Sequence, residues 1–501
     1  MDNEKKKKGI LASFPRTFWV ANIMEFFERG AYYGMNSVLA VYLVDVLGFG
    51  QQSVGLLQGF VYALTYILPI FGGALGDRLG YRKILLVAFS LLTIGYFAAG
   101  NFDVYGLIFL SLLVMATGSG LFKPLITGTV AQTTTKETSG FGFGVYYWSI
   151  NLGAFLAPFF VSWIKGFSWR YVFFSSALWC FLMLLPAAFV YKDPERPANT
   201  KPMRQVIKEA VLVLSDSRFM LLIVVYSTFW ILYFQMFGSV LWYLRDFIYR
   251  APVDAFMQKI PFLRPFKFDA EFVTIINAGT IVLLVVLVSR ITKNLKAFPV
   301  MASGILIGLG GFVVLAFTHS AWMFILGIAV FSLGEMTAHP KYYSYIGLVA
   351  PQDKKALYMG YAFLYGVFGS LIGSNLGGVL YEKNLAPIAP PVADVESGLP
   401  LPSEILSQVR EFWLIFAGLG IICLAGMLLY NRFFSEDTPQ TNRRAWRIML
   451  IVYIVIAGAG VYFLIQSLFL APQVPWKTFV QALIMLLLGG GGILISFRGK
   501  R

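Results

Sequence analysis

Three ionisable residues lie close together near the start of the first long apolar segment of this chain: Glu25, Glu28 and Arg29. On a helix, spacings of three and four residues place their side chains on one stripe. Ionisable groups at bilayer depth are costly unless they are paired or face water, so this stripe indicates a functional site. The arginine can keep one carboxylate ionised while the other gains and loses a proton. A purely structural ion-pair cluster is the alternative.

Two further charged side chains, Lys123 and Glu335, lie deep within later apolar segments. The same cost of burial predicts a functional role for both, with a structural ion pair as the alternative. His339 follows Glu335 by four residues and therefore shares its helical face. Its imidazole titrates near neutral pH, so it could tune the glutamate or join a proton path. A histidine that only packs between helices is the alternative.

The composition is that of a membrane protein with many spans. Hydrophobic residues make up 58% of the 501 positions and charged residues 13%, with a mean hydropathy of +0.72. The net charge of +15 does not indicate nucleic-acid binding, because the basic residues fall in the loops between apolar segments. The two cysteines, Cys180 and Cys423, are far apart and each lies in an apolar segment, which predicts neither a disulfide nor a thiol metal site.

Apolar windows of about 20 residues predict fourteen transmembrane helices in an all-α membrane protein. The predicted parts are an N-terminal six-helix bundle, a cytoplasmic linker, a C-terminal six-helix bundle and an additional helix pair, at residues 1–191, 192–218, 219–433 and 446–501. An even number of spans places both termini on one side of the membrane. The basic run Lys5 to Lys8 and the basic end from Arg498 predict that this side is cytoplasmic. No removable signal peptide is expected, because no short apolar region with a cleavage site follows the lysines.

The connection between the second and third predicted spans carries a specific motif. It reads Gly-Ala-Leu-Gly-Asp-Arg-Leu-Gly-Tyr-Arg-Lys over residues 73–83 and resembles the loop motif of the major facilitator superfamily. In that family the aspartate, here Asp77, pairs across helices to latch one conformation, and we assign Asp77 and Arg78 to structural gating on this resemblance. The implied fold is two pseudo-symmetric bundles that rock about a site at the midplane.

A more specific resemblance covers about residues 15 to 433. The first span resembles the E-x-x-E-R…Y-Y-G-M signature of the proton-dependent oligopeptide transporters. Further elements of that family match in order, and they include Lys123-Pro124, Tyr146-Tyr147-Trp148-Ser149-Ile150-Asn151-Leu152-Gly153, Phe229-Trp230 followed by Gln235, Asn277, and Gly334-Glu335 before Pro340.

The resemblance implies a proton-coupled symporter of the cell (inner) membrane that imports di- or tripeptides, or related amine-bearing solutes, by alternating access. The residues implied in proton coupling are Glu25, Glu28, Arg29, Lys123 and Glu335. The residues expected to bind substrate are Tyr32, Tyr33, Asn36, Tyr66, Lys123, Asn151, Trp230, Asn277, Glu335 and His339. Glu335 would take the ammonium group of the solute and Lys123 is the candidate cation for its carboxylate. For each tyrosine, simple packing is the alternative. No cofactor, metal or nucleotide is expected, and the coupling ion is the proton.

Four positions depart from the family pattern. The arginine that often follows Y-Y-G-M is Asn36, and the acid usually found before the glutamine of span seven is Phe234. Span eleven has Ala362 in place of a common tryptophan, and His339 replaces a usual small residue. With these changes the site keeps the residues expected to bind the ammonium group of a solute and has fewer residues expected to bind its carboxylate. A carrier of a different metabolite, a substrate sensor without transport and, from another class, a membrane-embedded enzyme are therefore the competing interpretations.

Overall fold

The protein is built from helices. The computed structural model describes residues 13–135, 138–193, 202–351, 355–470 and 476–498, and the regular structure in these ranges is helical. The only β pairing within them is an isolated bridge between Tyr249 and Ser320. The predicted all-α fold class is therefore confirmed.

Seven helices form the first bundle, and an eighth helix belongs to the linker. Their bounds are α1 Arg16–Val41, α2 Gln51–Ile67, α3 Pro69–Leu79, α4 Tyr81–Asn101, α5 Tyr105–Gln132, α6 Ser139–Ile164, α7 Trp169–Phe189 and α8 Met203–Ser215. Helices α2 and α3 form one span that bends by 43°. Pro69 at the start of α3 explains the bend, because proline has no backbone N–H to continue the helix.

The second bundle and the final pair contain twelve helices. Their bounds are α9 Ser217–Gln235, α10 Ser239–Phe247, α11 Ala251–Met257, α12 Glu271–Thr292, α13 Ala297–Ala316, α14 Ala321–Val349, α15 Lys355–Tyr361, α16 Leu364–Leu380, α17 Val392–Glu396, α18 Ser403–Phe433, α19 Pro439–Ile465 and α20 Trp476–Arg498. Part of the predicted linker, residues 194–201, lies outside the described residues, as do the basic residues at the N-terminus. The exact domain boundaries remain predictions.

The candidate spans of the structure fit the predicted number. Twelve helical segments in the described ranges are long and apolar enough to cross a membrane, and the bent pair of α2 and α3 makes one more. Helix α1 has 26 residues, or about 39 Å at 1.5 Å per residue, and is also long enough to cross. It carries Glu25, Glu28 and Arg29, so it is less apolar than the others. Counting α1 gives the fourteen predicted spans.

The two bundles meet closely along α2 and α16. A Cβ atom added to Gly55 would lie 2.2 Å from the backbone oxygen of Ser374, and one added to Gly366 would lie 2.4 Å from the ring of Tyr66. Only glycine permits such an approach at these two positions. The contact fixes α2 of the first bundle against α16 of the second.

Cross-bundle polar contacts concentrate at one end of the molecule, which we call the closed end, formed by the end of α1, the start of α2, the end of α6, α10 and the start of α12. Lys165, which follows α6, lies 2.7 Å from Asp269 and 2.6 Å from Glu271. Arg245 pairs with Asp45 across the same end. Trp242 Nε1 donates to the backbone oxygen of Ala40 at 3.1 Å, and Glu382 accepts from the backbone N–H of Gln52 at 2.7 Å; these two contacts also join the bundles.

The final helix pair packs on the outside of the bundles. Helix α19 contacts α9, and α20 contacts the linker helix α8. Gln481 of α20 donates to the side-chain oxygen of Asn375 in α16 at 3.0 Å, and Trp476 packs on Tyr105 of α5 with ring centroids 5.2 Å apart. Helix α20 therefore contacts both bundles.

Candidate functional site

The charged stripe of α1 is fully enclosed. Glu25, Glu28 and Arg29 are 1%, 0% and 4% exposed. Arg29 Nε donates to Glu28 Oε2 at 2.5 Å but lies 3.7 Å from Glu25 Oε1. The guanidinium also lies over the ring of Tyr32, 5.0 Å from its centroid. The structure thus brings the three predicted residues together, with Glu28 as the closer partner of the arginine.

A fourth residue of this cluster was not predicted. Ser119 of α5 donates to Glu28 Oε1 at 2.8 Å and accepts from Arg29 Nη2 at 3.1 Å. The serine lies between two glycines, Gly118 and Gly120, in the segment that resembles the lysine-proline element of the transporter family. The match to that element could have drawn attention to Ser119. The sequence does not show, however, which helix the serine hydroxyl faces.

Lys123 lies one turn after Ser119 on the same helix. Its ammonium group is 5.1 Å from the centroid of the Tyr66 ring, a distance typical of a cation–π interaction. None of the ion pairs within 4.0 Å among the described residues involves Lys123. The side chain is only partly buried. Lys123 is therefore close to the predicted pocket and is available to an anionic group.

Glu335 of α14 lies in the second bundle and is also partly buried. It accepts a hydrogen bond from Asn277 Nδ2 at 3.0 Å, and the same nitrogen lies 2.8 Å from Ser332 Oγ. Asn151 of α6 instead donates to the backbone oxygen of Tyr147 at 2.8 Å. Two residues predicted to bind substrate, Glu335 and Asn277, thus contact each other, while Asn151 bonds within its own helix.

Aromatic rings form the wall beside Glu335. The ring of Trp230 lies 4.4 Å from that of Tyr365 and 5.0 Å from that of His339. His339 Nε2 lies 3.4 Å from the hydroxyl of Tyr365, which lies 3.4 Å from the hydroxyl of Tyr343. The sequence did not single out Tyr343 or Tyr365, because 26 tyrosines leave packing and pocket roles indistinguishable.

Asn36, at the position of the missing arginine, is 1% exposed. It accepts a hydrogen bond from the hydroxyl of Tyr62 at 2.5 Å, and Gln58 donates to that hydroxyl at 2.9 Å and to the backbone of Phe237 at 2.8 Å. Asn36 therefore belongs to a hydrogen-bonded chain that joins the bundles towards the closed end. Phe234, at the position of the missing acid, stacks on Tyr62 with ring centroids 5.1 Å apart.

The remaining predicted residues fall in two places. Tyr32 and Tyr33 are partly buried on α1, with their rings 5.3 Å apart. Tyr33 of the first bundle lies within electrostatic range of Glu335 of the second. Asp77 accepts from the hydroxyl of Tyr81 at 3.2 Å, and Arg78 is exposed. The predicted gating pair thus lies in the last turn of α3, at the end of the bent span.

These positions define a polar site between the bundles. Its first-bundle side has the α1 charges, Lys123 and Tyr66, and its second-bundle side has Glu335, Asn277 and Trp230. The closed end covers one side of it, whereas Tyr147, also within electrostatic range of Glu335, is 43% exposed. Across the described ranges, no group of three or more His, Cys, Asp or Glu side chains could hold a metal ion.

Comparison with known proteins identifies the family. The family model described as Major Facilitator Superfamily matches residues 21–374. The dipeptide and tripeptide permease A of Serratia proteamaculans is 23% identical over 86% of this chain and 95% of its own length. The permease of the same name from Klebsiella pneumoniae is 32% identical, but the match spans only 36% of each protein.

Solved structures agree on the fold. A POT family transporter in complex with 5-aminolevulinic acid superposes with a TM-score of 0.63 at 21% identity, over 85% of this chain and 99% of that one. The resemblance to peptide transporters predicted from the sequence is thus confirmed by its relatives. The chain belongs to the major facilitator superfamily, and it is a membrane transporter with two six-helix bundles rather than an enzyme.

Proposed function

We propose that the protein is a proton-coupled symporter that imports di- or tripeptides, or related amine-bearing solutes. One observation carries the proposal. A partly buried carboxylate, Glu335, lies with Asn277 on one bundle, within electrostatic range of Tyr66 and Tyr33 on the other. Lys123 lies over Tyr66, and no carboxylate among the described residues pairs with it within 4.0 Å. An ammonium group fits Glu335, and a carboxylate fits Lys123.

The proposed cycle couples this site to the charges of α1. A proton from outside neutralises one carboxylate of Glu25 and Glu28. The ionic attraction between these carboxylates and Arg29 or Lys123 then becomes weaker. A solute docks its amine on Glu335, the bundles close around it, and proton release to the cytoplasm opens the inner side. Both ligands bias one two-state equilibrium, as in other rocking transporters.

The proposed orientation places both termini in the cytoplasm and the protein in the inner membrane. The closed end then faces outward, and the structure corresponds to an inward-facing state. The exposed Tyr147 and the partly exposed Lys123 and Glu335 support this assignment. We further propose that Asp77 and Arg78 stabilise the opposite, outward-facing state.

A second candidate keeps the mechanism and changes the cargo. Asn36 is uncharged and its side-chain oxygen accepts a hydrogen bond from Tyr62, so it supplies no cation for a peptide carboxylate. One solved relative is in complex with 5-aminolevulinic acid, which has an amine but no peptide bond. Such solutes, or peptides with a modified carboxyl end, fit a site whose ammonium end is the better equipped.

Competition in proteoliposomes tests the cargo. Uptake of one transported solute under an inward proton gradient is measured against an excess of dipeptides, tripeptides, N-acetylated peptides and peptide amides. We expect free-amine peptides to compete, N-acetylation to abolish competition, and amidation to weaken it by about tenfold or less, since Lys123 offers one partly solvated contact. Competition by N-acetylated peptides but not by amides would overturn the assignment of Glu335 and Lys123.

A further inference from the structure

The Ser119 hydroxyl can be oriented in only one way between its two hydrogen-bond partners. Arg29 carries N–H donors and no acceptor, so Ser119 Oγ must accept from Arg29 Nη2, 3.1 Å away. The single hydroxyl hydrogen then points to Glu28 Oε1, 2.8 Å away. Ser119 is 0% exposed, so water does not compete for either contact.

Glu28 therefore has a donor on each of its oxygens. Arg29 donates to Oε2 and Ser119 donates to Oε1. A proton on this carboxyl group would meet one of these donors and force it to turn away. Hydrogen bonds to the charged form favour that form.

Glu25 is held differently. Its Oε2 is buried and has no hydrogen-bond partner among the described residues, and its Oε1 lies 3.7 Å from Arg29 Nε. The charged or titratable groups that face it are Arg29 and Glu28 on its own helix, Lys123 on α5 and Tyr146 on α6, and the Tyr146 hydroxyl is the one side-chain donor among them that reaches Glu25 from another helix. A buried carboxyl group with few donors accepts a proton more easily than one with several.

We propose that Ser119 is a positioning residue that keeps Glu28 ionised on Arg29 and leaves the exchange of protons to Glu25. The inference rests on the proposed proton coupling and adds a division of roles between the two carboxylates. It assigns Ser119 no contact with the solute. Its effect passes through Glu28 and is visible in the pH dependence of transport.

The test compares Ser119→Ala with Ser119→Thr and with a matched control, Ser111→Ala. Ser111 lies on the same helix, is 4% exposed, and donates only to the backbone oxygen of Leu107. Each protein is purified and reconstituted, and two rates are measured across pH: uptake driven by a proton gradient, and exchange of solute without a gradient.

We expect Ser119→Ala to move the pH of half-maximal driven uptake upward by about one unit, because loss of one hydrogen bond to a charged group lets Glu28 compete for the proton. Ser119→Thr keeps the hydroxyl and should match the wild type, as should Ser111→Ala. If Ser119→Ala does not give folded protein, Ser119→Cys, with its weak donor, takes its place with the same expectation. An unchanged pH profile beside normal exchange would overturn the inference, whereas a wild type without proton-driven uptake would instead overturn the proposed function.

Discussion

At the scale of single residues, the arrangement of Lys123 is the most informative. A lysine in the membrane without a carboxylate partner is costly, and the ring of Tyr66 offsets part of that cost. A cation–π contact is weaker than an ion pair and leaves the ammonium group able to bind an arriving anion. Phe234 stands where the family resemblance implies an acid, so the carboxylates within electrostatic range of Lys123 are Glu28 and Glu25 of α1.

Substitutions of Tyr66 test this arrangement. Tyr66→Phe keeps the aromatic face, and we expect the preference for free-acid over amidated solutes to stay within about twofold of the wild type. Tyr66→Leu removes the face and should change that preference by about twofold to fivefold, since a cation–π contact contributes about 0.5–1 kcal/mol at exposed sites. The measurement is the ratio of inhibition constants for the two solutes. Equal effects of Phe and Leu would contradict the role of the ring.

At the scale of helices and their ends, the closed end is held by charge. Burial alone would raise the pKa of the Asp269 carboxyl, but the Lys165 ammonium, 2.7 Å away, outweighs burial and holds that pKa below its usual range. The stabilisation from a carboxyl with a lowered pKa is present above its ordinary pKa and is lost only as the pH falls through the lowered one. Mild acid therefore leaves the contact between Lys165 and Asp269 intact.

Thiol labelling tests the closed end. Ala270→Cys places a thiol beside Asp269 at a position that is 0% exposed, in a protein from which Cys180 and Cys423 have been removed. We expect slow labelling that does not change between about pH 7.5 and 5.5. Adding Lys165→Met should speed labelling at least about tenfold, because it leaves the buried Glu271 carboxylate without its lysine partner and leaves Asp269 only the longer contacts with Arg245 and Arg250.

The matched control is Lys293→Met, an exposed lysine that follows α12 at the other end of that helix. It removes the same charge and should leave labelling unchanged. Equal labelling with and without Lys165 would show that the ion pairs do not hold this end closed.

At the scale of the whole molecule, the sequence predicted the architecture well, because apolar windows and loop charges follow directly from the physics of the bilayer. The bend of the second span at Pro69 and the packing of α20 across both bundles were not predicted. Pro69 is a local signal for the bend, but the packing of α20 depends on which helices lie beside it, and no local pattern shows that. The sequence predicted only part of the site, because contacts between helices leave no local pattern. Neighbours on α1 follow from helical spacing, but Ser119 lies 91 positions from Glu28.

The central claim is that binding of an amine-bearing solute and movement of a proton are one event. The most direct test loads proteoliposomes with a pH-sensitive dye, imposes no pH gradient, and adds a dipeptide outside. We expect the lumen to acidify with the wild type and not with Glu335→Gln, and N-acetylated peptide to give no signal. Tight binding of solutes without any acidification of the lumen would contradict the account and identify the protein as a sensor instead.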